Sequence, residues 1–183
     1  GSAGRATAAV GALWTRVPDG GPSAVRAGAV RLDGFALFVT VVICISVILA
    51  ALLLDGYLQR EGLVGPEWYV LLLLSASGGV TMASANDLIV LFVGLEILSV
   101  AVYVLAAMHS KRVSSQEAGL KYFVLGAFAS AFLLYGIAMI YGATGSTNLV
   151  RVQAFLSETV ITQNGLLLAG FAFMLVGFGF KVG

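Results

Sequence analysis

The sequence predicts an all-α polytopic membrane protein with five transmembrane helices, and three observations carry that expectation. Sixty per cent of the 183 residues are hydrophobic and only 10% are charged. With a mean hydropathy of +1.01, that leaves too little polar side chain to clothe a soluble globule. The apolar residues gather in runs of about 20, the length of helix that crosses a hydrocarbon core about 30 Å thick. The 10 basic and 9 acidic residues sit mostly between those runs, so no basic patch for nucleic acid forms and lipid is the expected surrounding.

Residues 1–31 read as a loop or linker, with Gly, Ala, Pro and the arginines Arg5, Arg16, Arg26 and Arg31 but no apolar periodicity. Within it, Pro18-Asp19-Gly20-Gly21-Pro22 is turn chemistry. The membrane domain is expected over 32–183. Its first span, about 32–54, is interrupted near its start only by Asp33, and the turn-rich stretch from Asp55 to Pro66 ends it. Trp68 and Tyr69 then suit an interface. The second span, about 68–85, is closed by Asn86-Asp87, residues that favour turns and caps, so it forms a tight hairpin with the third, about 88–108. His109-Ser110-Lys111-Arg112 marks a return to water, and Ser114 or Ser115 is placed to cap the next helix. The fourth span, about 116–141, carries Gly126, Ala127, Ser130 and Ala131, a small-residue face that lets helices approach closely. A polar connection over 142–161 leads to the fifth span, about 163–183, which contains Gly165, Gly170, Gly177 and Gly179. The first residue is Gly and the last three are Lys181-Val182-Gly183, so the chain reads as a piece of a longer protein, without the marks of a secretory signal peptide.

Glu96 lies eight residues beyond the start of its helix, about 12 Å into the hydrocarbon at 1.5 Å per residue. A short carboxylate cannot reach water from there. It must face the protein interior, be protonated, or pair with a cation, and each option makes it a candidate proton carrier rather than only a structural, hydrogen-bonded carboxylate. Lys121 sits about one turn into its helix, where snorkelling to headgroups and a functional role are equally open. Lys181 follows Gly177-Phe178-Gly179-Phe180, a stretch suited to a helix that breaks beside a cavity, or it simply reaches the interface. Asp87 and Glu117 read as caps or solvated groups, and His109 as a polar residue at a boundary. Cys44, the single cysteine, reads as a small buried hydrophobe and excludes a Cys-based metal or redox centre. No phosphate-cradling loop, metal-ligand spacing or nucleophile elbow is visible, so no cofactor or metal is expected in this chain.

Orientation is read from conflicting charges. The Lys111-Arg112 loop favours the cytoplasm, and the arginine-bearing N-terminal segment then falls outside. The loop is expected on the cytoplasmic side.

The run Asn86-Asp87-Leu88-Ile89-Val90-Leu91-Phe92-Val93-Gly94-Leu95-Glu96-Ile97-Leu98-Ser99 and the run from Glu117 to Ser130, with Lys121-Tyr122-Phe123-Val124-Leu125-Gly126-Ala127-Phe128-Ala129-Ser130 inside it, carry a resemblance. Together with Arg31-Leu32-Asp33-Gly34 and Leu175-Val176-Gly177-Phe178-Gly179-Phe180-Lys181, they resemble the subunit N family of the bacterial proton-pumping NADH:quinone oxidoreductase, respiratory complex I. The related L and M subunits and the sodium/proton antiporters share a helix-borne glutamate and a later lysine. The resemblance implies a fold of about fourteen helices with two inverted five-helix repeats, of which this chain holds the third to seventh helices and thus most of the first repeat. By the same resemblance Glu96 matches the family's glutamate on the fifth helix, Lys181 its partner on the seventh, and Lys121 a lysine on the sixth. These three are the expected proton path, in which pairing of Glu96 with Lys181 stabilises the charged forms and separation moves a proton. Quinone, NADH, FMN and the iron-sulfur clusters are then expected in partner subunits. The implied partners are an antiporter-like subunit M and small K-type membrane subunits, within a bacterial plasma membrane. A cation/proton antiporter and a non-conducting scaffold are the alternatives.

Overall fold

Four of the described helices begin at a side chain that accepts from their first turn. The computed structural model describes residues 23–25, 28–63, 65–109, 111–160 and 164–182. Among the described residues a two-stranded antiparallel hairpin, β1 (Ser23–Val25) and β2 (Val30–Leu32), precedes six helices: α1 (Gly34–Glu61), α2 (Glu67–Ala83), α3 (Leu88–Ala107), α4 (Val113–Thr144), α5 (Leu149–Glu158) and α6 (Gly165–Val182). The hairpin falls in the stretch read as linker, and the turn chemistry at Pro18–Pro22 lies outside the described residues. Asp33, the one charge near the first span, is the N-cap of α1 and accepts from the Ala36 N–H at 2.8 Å. Asp87 caps α3 through Ile89, Asn148 caps α5 through Val150 and Arg151, and Asn164 accepts from Leu167 in the first turn of α6. The expected cap at Ser114 or Ser115 is corrected. Helix α4 starts earlier, after Arg112, with no side-chain cap, and Ser115 instead donates to the Ala106 carbonyl at 2.5 Å, satisfying the frayed end of α3.

Helices α1, α3, α4 and α6 are long and apolar enough to cross a membrane, and the 17 residues of α2 reach about 25 Å, the short end of a span. The chain is an all-α polytopic membrane protein. Two helices outrun their apolar runs: α1 has 28 residues and continues through the polar Asp55–Glu61 stretch, and α4 has 32. The connection expected over 142–161 contains α5, whose 10 residues are too few to span; Val152 is buried and Phe155 and Leu156 pack on the core.

The core joins α3, α4, α5 and α6 through Leu88, Leu95, Leu133, Ile137, Ile140, Val152 and Leu167. Along the α4–α6 seam the backbones touch. A Cβ on Gly136 would stand 2.7 Å from the Gly170 carbonyl oxygen and from the Met174 nitrogen, a distance no side chain tolerates, so only glycine permits this approach. The small-residue face of α4 differs from the expected one. Gly126 and Ser130 are buried, but Ala127 and Ala131 are exposed; the buried stripe runs through Ala129, Leu133, Gly136, Ile137 and Ile140. At about 100° per residue, positions 127 and 131 turn away from a stripe phased on 126 and 130. Helix α1 leaves Phe35, Phe38, Ile45, Leu49 and Leu52 exposed, as lipid-facing side chains are. Cys44 is exposed on the same helix, not buried as expected, because α1 packs on few neighbours.

One end of the bundle is tied by Asn86. Its N–H donates to the Ala29 carbonyl at 2.9 Å, its Nδ2 to the Gly28 carbonyl at 2.7 Å, and its own carbonyl accepts from the Leu149 N–H at 3.0 Å. Three connections, the hairpin turn, the α2–α3 turn and the α4–α5 loop, thus meet on one buried amide. Thr147 donates to the Asp87 carboxylate at 2.7 Å beside it. Replacing Asn86 by Ala removes the side-chain donor and is expected to cost about 1–3 kcal/mol, read as a lower midpoint in thermal or detergent-induced unfolding with the helix content of the folded state unchanged.

Candidate functional site

Three helix faces converge midway through the bundle. On α3, Glu96, Ser99 and Tyr103 stand at i, i+3 and i+7, one side of a helix. On α4, Gly126 and Ser130 are a turn apart, and on α6, Lys181 lies a turn beyond Gly177, the glycine packed on Leu133 of α4. The glycine seams therefore bring the polar groups within reach of one another.

The Lys181 ammonium donates to the Tyr103 hydroxyl at 2.7 Å, to Ser99 Oγ at 2.9 Å and to Glu96 Oε1 at 3.4 Å. Its three N–H groups thus meet three acceptors. The same Glu96 oxygen accepts from Ser130 Oγ at 2.5 Å, and Ser130 also lies 2.9 Å from the Gly126 carbonyl. The lysine side chain is 9% exposed and the glutamate 28%. The Lys181 nitrogen also stands 5.3 Å from the Tyr103 ring centroid. The Tyr103 ring meets Tyr122 edge-on at 4.7 Å, and its hydroxyl fills the space that a side chain on Gly126 would take. A carboxylate and an ammonium in contact inside the bundle, each with hydroxyl partners of its own, can exchange a proton with little movement.

The structure brings Glu96 and Lys181 together and does not bring Lys121 to them. Lys121 stands on the exposed face of α4 and pairs with Glu117, one turn earlier, at 2.5 Å. Asp87 is a cap, as read. His109, read as a polar residue at a boundary, lies in the α3–α4 connection and is buried there, with Nε2 3.5 Å from the Glu61 carboxylate, which also accepts from Arg112 at 2.7 Å. Reading the residues one at a time missed Ser99, Tyr103 and Ser130. The first two were findable from their spacing to Glu96, whereas Ser130 lies on another helix and looked like packing. Among the described residues, no three His, Cys, Asp or Glu converge as metal ligands.

Fold and site together define a multi-span membrane protein built around a charged pair inside its helix bundle. The chain belongs to the NADH:quinone oxidoreductase/Mrp antiporter transmembrane family, whose profile matches residues 85–183, the stretch that holds every residue of the pair's surroundings. It is 42% identical over 154 residues to NADH-quinone oxidoreductase subunit N of Trichlorobacter lovleyi, a match covering 84% of this chain and 32% of that protein. The subunit N of Myxococcus xanthus is 42% identical over 161 residues, covering 88% and 31%. The chain thus spans about a third of the length of these relatives. A chain of respiratory complex I from Thermus thermophilus, solved with bound aureothin, superposes with a TM-score of 0.71 at 33% identity, covering 97% of this chain and 36% of that one.

Removing one member of a buried pair strands the other. Glu96→Ala is expected to destabilise the protein by about 3–5 kcal/mol, and the double variant Glu96→Ala/Lys181→Met by less than that single one. Thermal unfolding of the purified full-length variants, with Lys181→Met alone included, measures both, and a double-variant loss equal to the sum of the two single losses would show that the pair is not energetically coupled.

Proposed function

We propose that this chain is part of a proton-translocating, subunit-N-type membrane subunit of an NADH:quinone oxidoreductase in a bacterial plasma membrane. The observation that carries the reading is the delivery of Lys181 on α6 to Glu96 on α3 inside the bundle, and the similarity to subunit N of two bacteria supports it. With the pair closed, the carboxylate and ammonium stabilise each other as ions. When they part, each favours its neutral form, so the ammonium releases a proton and the carboxylate takes one up. Quinone reduction in partner subunits supplies the drive, and the NADH, FMN, iron-sulfur and quinone sites belong to those subunits. The implied neighbours are an antiporter-like subunit M and small K-type subunits. Lys121, held by Glu117 on the exposed face of α4, extends the path peripherally.

A cation/proton antiporter would use the same pair, and the family's description embraces Mrp antiporters. Dependence on quinone separates the two. In the full-length protein within its complex, Glu96→Gln is expected to lower protons pumped per electron by about tenfold or more in membrane vesicles, while assembly is retained. Unchanged pumping would leave Glu96 a structural carboxylate and end this reading.

A further inference from the structure

A lysine that carries protons must be held in two states, and a carboxylate suits only one of them. The ammonium offers three donors and no acceptor; the neutral amine has two donors and a lone pair. An ionised Glu96 has nothing to give that lone pair. A hydroxyl both donates and accepts at one oxygen and rotates to suit its neighbour. The two nearest partners of the Lys181 nitrogen are hydroxyls, Tyr103 at 2.7 Å and Ser99 at 2.9 Å, both nearer than Glu96 at 3.4 Å. Both side chains are buried, and no proton-path role follows for either from Glu96 and Lys181 alone.

We infer that Ser99 and Tyr103 form an amphoteric cradle that keeps the Lys181 nitrogen in place in both its charged and neutral states. They are positioning residues for proton transfer at Glu96, and the inference rests on the proton-path reading above. When Lys181 is an ammonium, both hydroxyl oxygens accept from it and their hydrogens point elsewhere. When it is an amine, one hydroxyl turns and donates to the lone pair. Glu96 is then free to part from Lys181 without leaving the nitrogen unpartnered in a dry interior, where an unmatched polar group is costly. Gly126 belongs to the same device. Having no side chain, it leaves room for the Tyr103 hydroxyl, and Tyr122 and Phe123 hold the Tyr103 ring edge-on from α4, at 4.7 and 6.0 Å between centroids. Ser130 is separate, since it serves the glutamate.

The experiment uses the full-length protein in its complex, in sealed vesicles, and measures protons pumped per electron for Tyr103→Phe, Ser99→Ala, their combination, Ser99→Thr and Glu96→Gln. The expected result is a several-fold loss for each single hydroxyl deletion, about tenfold or more for the two together, and restoration by Ser99→Thr, which returns the hydroxyl. Wild-type pumping by the combined variant, or a Ser99→Thr as impaired as Ser99→Ala, would overturn the cradle. Glu96→Gln decides the parent reading independently: if it pumps normally the proton path falls, and if it is dead while the combined variant is unaffected, the path stands and the cradle falls. Should the combined variant not assemble, the two single deletions are read by the same criteria.

Discussion

The ion pair between Glu96 and Lys181 is the constraint around which the bundle is arranged. Two opposite charges taken out of water attract strongly, but their lost hydration offsets much of that gain unless every remaining donor and acceptor finds a partner. The structure supplies such partners with hydroxyls from two helices, so that the ammonium has three acceptors and Glu96 Oε1 two donors. The close helix approaches follow from the same need. A hydroxyl or a carboxylate reaches only a few ångströms from its backbone, and helices kept apart by leucines would leave the charges unmatched. Glycines at the α3–α4 and α4–α6 contacts bring the backbones near enough.

Much of this was legible before any coordinates. Long apolar runs separated by turn residues are a strong signal because hydrocarbon imposes one length on every span. Asp87 could be understood from chemistry alone, since a carboxylate beside an apolar run belongs at the positive end of a helix, whereas Asp33, read only as an interruption of the first span, is the cap that starts it. The depth of Glu96 followed from counting residues. The contact with Lys181 did not: 85 residues separate the two, and only resemblance to a family connected them. The buried face of α4 was misphased because four small residues, Gly126, Ala127, Ser130 and Ala131, fit two adjoining stripes equally well, and what decides between them is the partner helix. Helix α5 escaped because ten amphipathic residues produce no long apolar run. The burial of His109 beside Glu61 was not legible, because the two are 48 positions apart and meet only through folding.

The two ends of the bundle are held by different chemistry. At one, backbone and amide groups around Asn86 tie three connections together with neutral hydrogen bonds. At the other, Glu61 at the end of α1 gathers Arg112 and His109 from the α3–α4 connection. Neutral hydrogen bonds keep their strength as pH and salt vary, while an exposed ion pair such as that of Arg112 is screened. The charged pair lies inside the bundle, the lysine side chain largely buried and the glutamate partly so.

The glycine seams also limit how the pair can open. Gly170 and Lys181 are eleven residues apart, three turns of helix to within a fraction of a residue, so the face of α6 that is locked against α4 is the face that bears the lysine. Rolling α6 about its own axis would drive side chains into the α4 backbone, and Gly94, two residues before Glu96, meets the Gly78 carbonyl oxygen on α2 in the same way. Neither helix is free to turn. In the proposed proton path, opening and closing of the pair would then fall to the rotamers of two flexible side chains, motions of a few ångströms on a timescale far shorter than any rearrangement of the helices themselves.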